Sequence, residues 1–99
     1  MTLLQIARTD QAVSLQGEID MAVADEVTAA LLQGVEAGIP VVDMSEVTFI
    51  DSSGLRALLS VAQTLNGSGP LVLRRPSPAV TRILRIALPN GGPGLEVSA

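Results

Sequence analysis

The chain has 99 residues, 47% of them hydrophobic, and ten acidic residues against six basic ones give it a formal net charge of -4. It contains no His, Cys, Lys, Trp or Tyr, so the usual general base, the thiol and amine nucleophiles and the Cys/His zinc ligands are missing. This composition argues against an enzyme, and the acidic balance argues against binding the phosphate backbone of a nucleic acid.

The length suits one compact domain, residues 1–99, built around one hydrophobic core. No apolar run is long enough to cross a bilayer, and no charged-then-apolar leader opens the chain. We therefore expect a cytoplasmic protein with no membrane insertion.

The first two predicted elements are strands. LLQIAR (residues 3–8) and AVSLQG (residues 12–17) both alternate apolar with polar residues, as half-buried strands do. The connection TDQ (residues 9–11) is short and polar. The pattern predicts an antiparallel hairpin.

A helix and a strand follow. Residues 20–38 carry apolar side chains at helical spacing, with Asp20 as a start signal and Gly38 followed by Pro40 as the stop. IPVVDM (residues 39–44) has the apolar character of a central strand. We interpret SEVTFI (residues 45–50) as a connection.

The rest of the chain predicts two more helices and two more strands. A second helix starts at about Gly54 and ends before NGSGP (residues 66–70), and LVLRR (residues 71–75) is a strand. A third helix has Ser77 as its N-cap and Pro78 at its first position. Its buried stripe comprises Val80, Ile83, Leu84 and Ala87. LEVS (residues 95–98) completes the pattern as an edge strand.

Right-handed crossovers between successive parallel strands place all three helices on one face of a sheet whose strands follow sequence order. Polar residues alternating in the strands agree with a second face that meets water. The sequence also places Arg74, Arg75, Arg82 and Arg85 in the C-terminal third. We interpret them as solvated residues on a strand and a helix, rather than as a basic strip.

The motif FIDSSGL (residues 49–55) joins a strand end to a helix start. A catalytic serine needs a base, and without His or Lys only Asp51 is available. A phospho-aspartate receiver domain, with Asp43 or Asp51 as acceptor, is disfavoured by the missing lysine. Ser52 or Ser53 is expected to cap the helix, which would stabilise it by about 1 kcal/mol. The hydroxyl of the other serine is then expected to be exposed.

The stretch VVDMSEVTFIDSSGLRALLSVAQ (residues 41–63) resembles the signature region of STAS domains, specifically the small anti-sigma factor antagonists. GEID (residues 17–20) and SPAVTRILRIALP (residues 77–89) resemble two further motifs of that family. The resemblance implies an α/β STAS fold: a short mixed sheet with an antiparallel N-terminal hairpin, successive right-handed βα units and helices mainly on one face.

The resemblance also implies a function in bacterial transcription regulation. Such an antagonist binds an anti-sigma factor that is also a serine kinase, and phosphorylation of the serine after the aspartate ends that binding by partner switching. Here that phosphoserine position is Ser52, with Ser53 as second choice. The resemblance implies no cofactor, no metal and no direct contact with nucleic acid, and we expect a monomer or weak dimer.

Five residues besides the two serines are candidates for contact with the partner. Asp20 matches the family's partner-binding aspartate, although an Asp at a strand-to-helix junction can equally be a cap. Asp51 could orient the serine or favour the turn, and Gly54 allows close approach of the backbone, with Leu55 in the core. The remaining candidates, both also compatible with simple solvent exposure, are Arg56 and Glu18.

Two alternatives remain open at the level of sequence. Stand-alone STAS domains also serve as subunits of lipid-transport ABC systems, where they bind an ATPase without being phosphorylated. The chain could instead be a structural subunit of a signalling assembly, with both serines acting only as caps.

Overall fold

A computed structural model describes residues 4–99, and within them five strands form one sheet accompanied by three helices. Leu3, the first residue of the predicted opening strand, lies outside the described residues. The elements are β1 (Leu4–Arg8), β2 (Val13–Ile19), α1 (Ala24–Glu36), β3 (Val41–Ile50), α2 (Ser52–Thr64), β4 (Leu71–Arg74), α3 (Pro78–Ala87) and β5 (Leu95–Ser98). The predicted order of strands and helices is confirmed.

The strands lie in sequence order across the sheet, with β1 antiparallel to β2 and the later neighbours parallel. The turn between β1 and β2 is closed by Thr9, whose backbone N–H donates to the Ala12 carbonyl at 2.9 Å. Its hydroxyl oxygen accepts the backbone N–H groups of Gln11 and Ala12. The mixed sheet with an N-terminal hairpin is the predicted architecture.

The core lies on one face of the sheet. Val13, Val42 and Leu73 are register partners on neighbouring strands, and each is at most 2% exposed. Aligned residues of neighbouring strands share a face, so this row marks the side that the helices cover. A Cβ added at Gly34 of α1 would stand only 2.7 Å from the Val13 side chain, which shows how closely α1 packs there. Helices mainly on one face are therefore confirmed.

β3 is longer than the sequence predicted. It continues from Val41 to Ile50, so the interpretation of residues 45–50 as a connection is wrong. The extension pairs with the last residues of β2, where Ile19 lies opposite Ile50, across two register irregularities. Val47 and Ile50 are both buried, and this burial keeps the extension in the sheet.

The first helix begins at Ala24 and not at Asp20. Asp20 instead closes a turn, because its carboxylate accepts the backbone N–H of Ala22 at 3.0 Å and its carbonyl accepts that of Val23 at 3.2 Å. Asp side chains commonly bond to a backbone N–H two residues on. The predicted helix start at Asp20 is therefore wrong, because α1 begins about one helical turn later, at Ala24.

The third helix begins as predicted. The Ser77 hydroxyl accepts the backbone N–H of Val80 at 3.3 Å, and a proline occupies the first helical position. Val80 is buried, and Ile83 and Leu84 pack against the core. Ala87 is exposed, contrary to prediction, because it is the last residue of α3 and the chain leaves the helix at Leu88. Within residues 4–99, none of the helices has the length and apolar character needed to cross a membrane.

Candidate functional site

FIDSSGL lies where β3 ends and α2 begins, next to the end of β2. Ile19 and Ile50 are register partners, and the backbone N–H of Asp51 donates to the Ile19 carbonyl at 3.2 Å. Asp20 and Asp51, the residues that follow the two strands, therefore stand at the same edge of the sheet. This edge, formed by the carboxyl ends of parallel strands, is where α/β sheets present functional side chains.

Asp51 is the N-cap of α2. Its Oδ1 atom accepts the backbone N–H groups of Ser53 at 2.9 Å and of Gly54 at 3.1 Å. The prediction that Ser52 or Ser53 caps the helix is wrong, because α2 already starts at Ser52 and the carboxylate takes the free donors. Asp and Ser have similar preferences at this position, so local sequence alone could not rank them.

The charge state of Asp51 is set by the same contacts. The Ser53 hydroxyl donates to the capping oxygen. This hydrogen bond, helped by the backbone donors of Gly54 and Ser53, lowers the pKa of Asp51 against the opposing effect of burial. A carboxyl with a lowered pKa is a weak base. Asp51 is therefore poorly suited to activate a serine as a nucleophile.

The two serines of the motif are in different states. Ser53 is half-buried, and its hydroxyl is bound to Asp51. Ser52 is exposed, and within residues 4–99 its side chain makes no hydrogen bond. The hydroxyl of Ser52 is therefore the one that a partner protein can reach without first breaking a contact of the helix cap.

Gly54 lies where α2 comes closest to the strand ends. A Cβ at this position would stand 2.7 Å from the Ile50 side chain and 2.8 Å from that of Ile19. The predicted close backbone approach is confirmed, and so is the core position of Leu55, which is 6% exposed. Gly54 therefore has a packing role whether or not it contacts a partner.

The other candidate residues surround this point. Glu18 is half-buried and lies opposite Phe49 in the register of β2 and β3. Arg56 is exposed and lines a groove between α1 and α2 together with Asp25 and Ser53. Contact of these residues with a partner stays a prediction.

A polar cluster that sequence reasoning missed lies on the face of the sheet opposite the helices. Asp43 is buried, with its Oδ2 atom accepting Arg74 Nε at 3.1 Å and Arg74 Nη2 at 3.0 Å. The Arg75 guanidinium donates to the same oxygen. Oδ1 accepts the Ser45 backbone N–H at 3.0 Å and the Ser45 hydroxyl at 2.7 Å. Both oxygens of this carboxylate are fully used.

Burial raises the pKa of Asp43, but the hydrogen bonds from Arg75, Ser45 and Arg74 outweigh it and hold that pKa well below its ordinary value. The interpretation of Arg74 and Arg75 as simply solvated is therefore wrong. Sequence alone gave no signal for this cluster, because it is the parallel register of β3 and β4 that places Asp43 directly opposite Arg74. Among residues 4–99, no three acidic side chains form a group that could hold a metal ion.

Comparison with protein families gives one match that spans most of the chain. The family model described as "Mlab, STAS domain" matches residues 2–90. A search of curated proteins found no match.

Solved structures share the fold. An anti-sigma factor antagonist from Mycobacterium paratuberculosis is 25% identical, with a TM-score of 0.75 over 96% of this chain and 83% of that one. The anti-sigma factor antagonist SpoIIAA in its unphosphorylated form is 21% identical, with a TM-score of 0.67 over 97% and 88% of the two chains. The Bacillus cell fate determinant SpoIIAA in its phosphorylated form is 21% identical, with a TM-score of 0.61 over 97% and 91%.

Proposed function

This chain belongs to the STAS domain family, and within that family we propose that it is an anti-sigma factor antagonist controlled by phosphorylation of Ser52. The unmodified protein binds an anti-sigma factor that is also a serine kinase. Phosphorylation by that kinase ends the binding. The observation that carries the proposal is the exposed, unbonded hydroxyl of Ser52 beside a serine whose own hydroxyl is occupied by Asp51.

Relatives support this proposal. The structure from Mycobacterium paratuberculosis is an anti-sigma factor antagonist, and its match covers nearly the whole of this chain. SpoIIAA has been solved both without and with phosphate, and both forms align with 97% of this chain. A phosphate is therefore compatible with a fold of this kind.

The position of Ser52 explains why a phosphate need not unfold the protein. Ser52 is the first residue of α2, and the positive end of a helix dipole favours negative charge. Phosphorylation adds a charge of about -1.5 to -2. Its cost falls instead on a complex, where the dianion, next to Asp51 and close to Asp20 at the strand ends, meets a surface fitted to a neutral hydroxyl. A loss of about 3 kcal/mol would lower the affinity more than a hundredfold.

A binding role agrees better with this site than catalysis does. Asp51 has a lowered pKa, and the chain holds neither His nor Lys to take a proton from a serine. The partner surface comprises the exposed or half-buried polar side chains around the motif, namely Glu18, Asp20, Asp51, Ser52, Ser53 and Arg56. The proposal includes a cytoplasmic location, because the proposed kinase partner acts in a sigma factor pathway.

The acceptor is tested by incubation with the anti-sigma factor kinase of the same organism and ATP, followed by mass spectrometry. We expect one phosphate, on Ser52, in the wild-type protein and in Ser53→Ala, and none in Ser52→Ala. A phosphate on Ser53 in the wild-type protein would move the switch to the second serine. Absence of any phosphate would contradict the proposal.

The switch itself is tested by capturing the kinase with two variants. Ser52→Ala is expected to bind it, and Ser52→Glu is not. Equal binding by both would contradict control by charge at Ser52. Co-purification with a transporter ATPase instead, without modification, would support the lipid-transport alternative, and unmodified binding in a larger signalling assembly would support a structural subunit.

A further inference from the structure

Arg56 stands one helical turn after Ser52 on α2. Side chains four residues apart on a helix are neighbours, with Cβ atoms about 5 to 6 Å apart. Both side chains are exposed. Within residues 4–99 the ion pairs are those of Asp43 with Arg74 and Arg75. The guanidinium of Arg56 is therefore uncommitted beside an uncommitted hydroxyl.

We propose that Arg56 pairs with the phosphate of modified Ser52 and favours its dianionic form. This inference rests on the proposed function, because it concerns the regulation of the same serine. A guanidinium donates through two parallel N–H groups to phosphate oxygens, which gives short, charge-assisted hydrogen bonds. Arg56 is thus a positioning residue for the modified state.

The groups that face Arg56 do not prevent this pairing. Across the groove, α1 contributes Asp25, and α2 contributes Ser53 on the same side. Asp25 forms no ion pair with Arg56, and a single carboxylate attracts a guanidinium less strongly than a phosphate dianion does. Two further acids lie at this edge of the sheet. Asp51 is already engaged by Ser53 and Gly54, and Asp20 accepts the backbone N–H of Ala22.

Pairing has a measurable consequence for the phosphate. The second ionisation of phosphoserine has a pKa of about 6, so an unassisted phosphate is not fully dianionic at neutral pH. A neighbouring cation favours the charged form and lowers that pKa. With Arg56 paired, the dianionic form is therefore favoured down to a lower pH than in an unassisted phosphoserine.

The test uses the full chain with phosphoserine installed at position 52 during translation, so that no kinase is needed. The second pKa of the phosphate is followed by phosphorus NMR. We expect the pKa in Arg56→Gln to lie about 0.2 to 0.4 pH unit above that of the unsubstituted phosphoprotein. Arg56→Lys is expected to lie between the two, because it retains the charge but loses the fork of donors.

Arg82→Gln is the matched control, because Arg82 is an exposed arginine on α3 that makes no ion pair within the described residues. It is expected to leave the phosphate pKa unchanged. Asp25→Asn removes the competing acid, and we expect it to lower that pKa further. An identical pKa in Arg56→Gln and the unsubstituted phosphoprotein would overturn the pairing, and so would an equal shift in Arg82→Gln. Failure of the kinase to modify Ser52 would instead overturn only the proposed function.

Discussion

Asp43 and Asp51 are two aspartates with lowered pKa values, one within β3 and one directly after its end, and the structure uses them differently. Asp43 is buried and bound by Arg74 and Arg75. Among the described residues no arginine binds Asp51, which takes its hydrogen bonds from the first turn of α2. The first aspartate joins β3 to β4, whereas the second organises a helix start.

This difference shows how one motif can hold one serine and expose another. Because the donors to Asp51 come from Ser53 and Gly54, the Ser52 hydroxyl is left without a hydrogen bond among the described residues. At Asp43 the nearby serine is fully hydrogen-bonded, since Ser45 donates to the carboxylate through both its backbone N–H and its hydroxyl. The contacts of Asp43 stabilise the fold, whereas those of Asp51 leave the Ser52 hydroxyl accessible to a partner.

We expect the largest loss of stability from a substitution that removes the Asp43 carboxylate. Asp43→Asn leaves Arg74 and Arg75 without their counter-ion, and we expect the free energy of unfolding to fall by about 2 kcal/mol, since both arginines retain some contact with water. Urea denaturation measures it. The exposed Asp10→Asn serves as control and is expected to have little effect. A change in Asp43→Asn no larger than that of the control would contradict a stabilising role for the cluster.

Acid should reveal the same cluster with a defined sign. Because the pKa of Asp43 is lowered in the folded protein, its contribution to stability is present above its unfolded pKa of about 3.9 and is lost as the pH falls below it. Between pH 6 and pH 3 we expect the wild-type protein to lose about 1 kcal/mol more stability than Asp43→Asn does. Parallel pH profiles for the two proteins would show that Asp43 is not paired as described.

Removal of the helix cap is expected to have a smaller effect. Asp51→Ala leaves the N–H groups of Ser53 and Gly54 without their acceptor, and we expect a loss of about 1 kcal/mol in the free energy of unfolding. Asp51→Ser retains an oxygen at the cap and is expected to recover most of that loss. Equal destabilisation by both variants, measured by urea denaturation, would show that capping is not the role of Asp51 in stability.

The smallest effect separates the two serines. Ser53→Ala removes the hydroxyl that donates to Asp51, and we expect the free energy of unfolding to fall by about 0.5 kcal/mol. Ser52→Ala removes no contact within the described residues and should leave that free energy unchanged. A larger loss in Ser52→Ala than in Ser53→Ala would mean that the roles of the two hydroxyls are reversed.

The order of strands and helices along the chain could be predicted from sequence because it depends on local periodicity. The sequence could not predict that Asp43 binds Arg74 and Arg75, since those partners are 31 and 32 residues away and only the strand register brings them together. The length of β3 was missed for a similar reason, because Ser45 and Glu46 interrupt the apolar pattern and pairing with β2 carries the strand through them.

The candidate site was located from sequence, but its internal roles were not. FIDSSGL could be placed at a helix start, yet the choice of cap among Asp51, Ser52 and Ser53 depends on where the first helical residue falls. Local pattern fixes that boundary only to within a turn or so. In the structure α2 begins at Ser52, and this boundary decides which of the three side chains is the cap.

Partner switching at Ser52 requires that a phosphate ends binding without unfolding the protein. Its most direct test measures the affinity of unmodified and Ser52-phosphorylated protein for the anti-sigma factor kinase by calorimetry, together with the thermal unfolding of each form. We expect an affinity loss of more than a hundredfold, or about 3 kcal/mol, with unfolding temperatures that differ by only a few degrees. Equal affinity of the two forms, or a phosphorylated form that is unfolded, would contradict partner switching at Ser52.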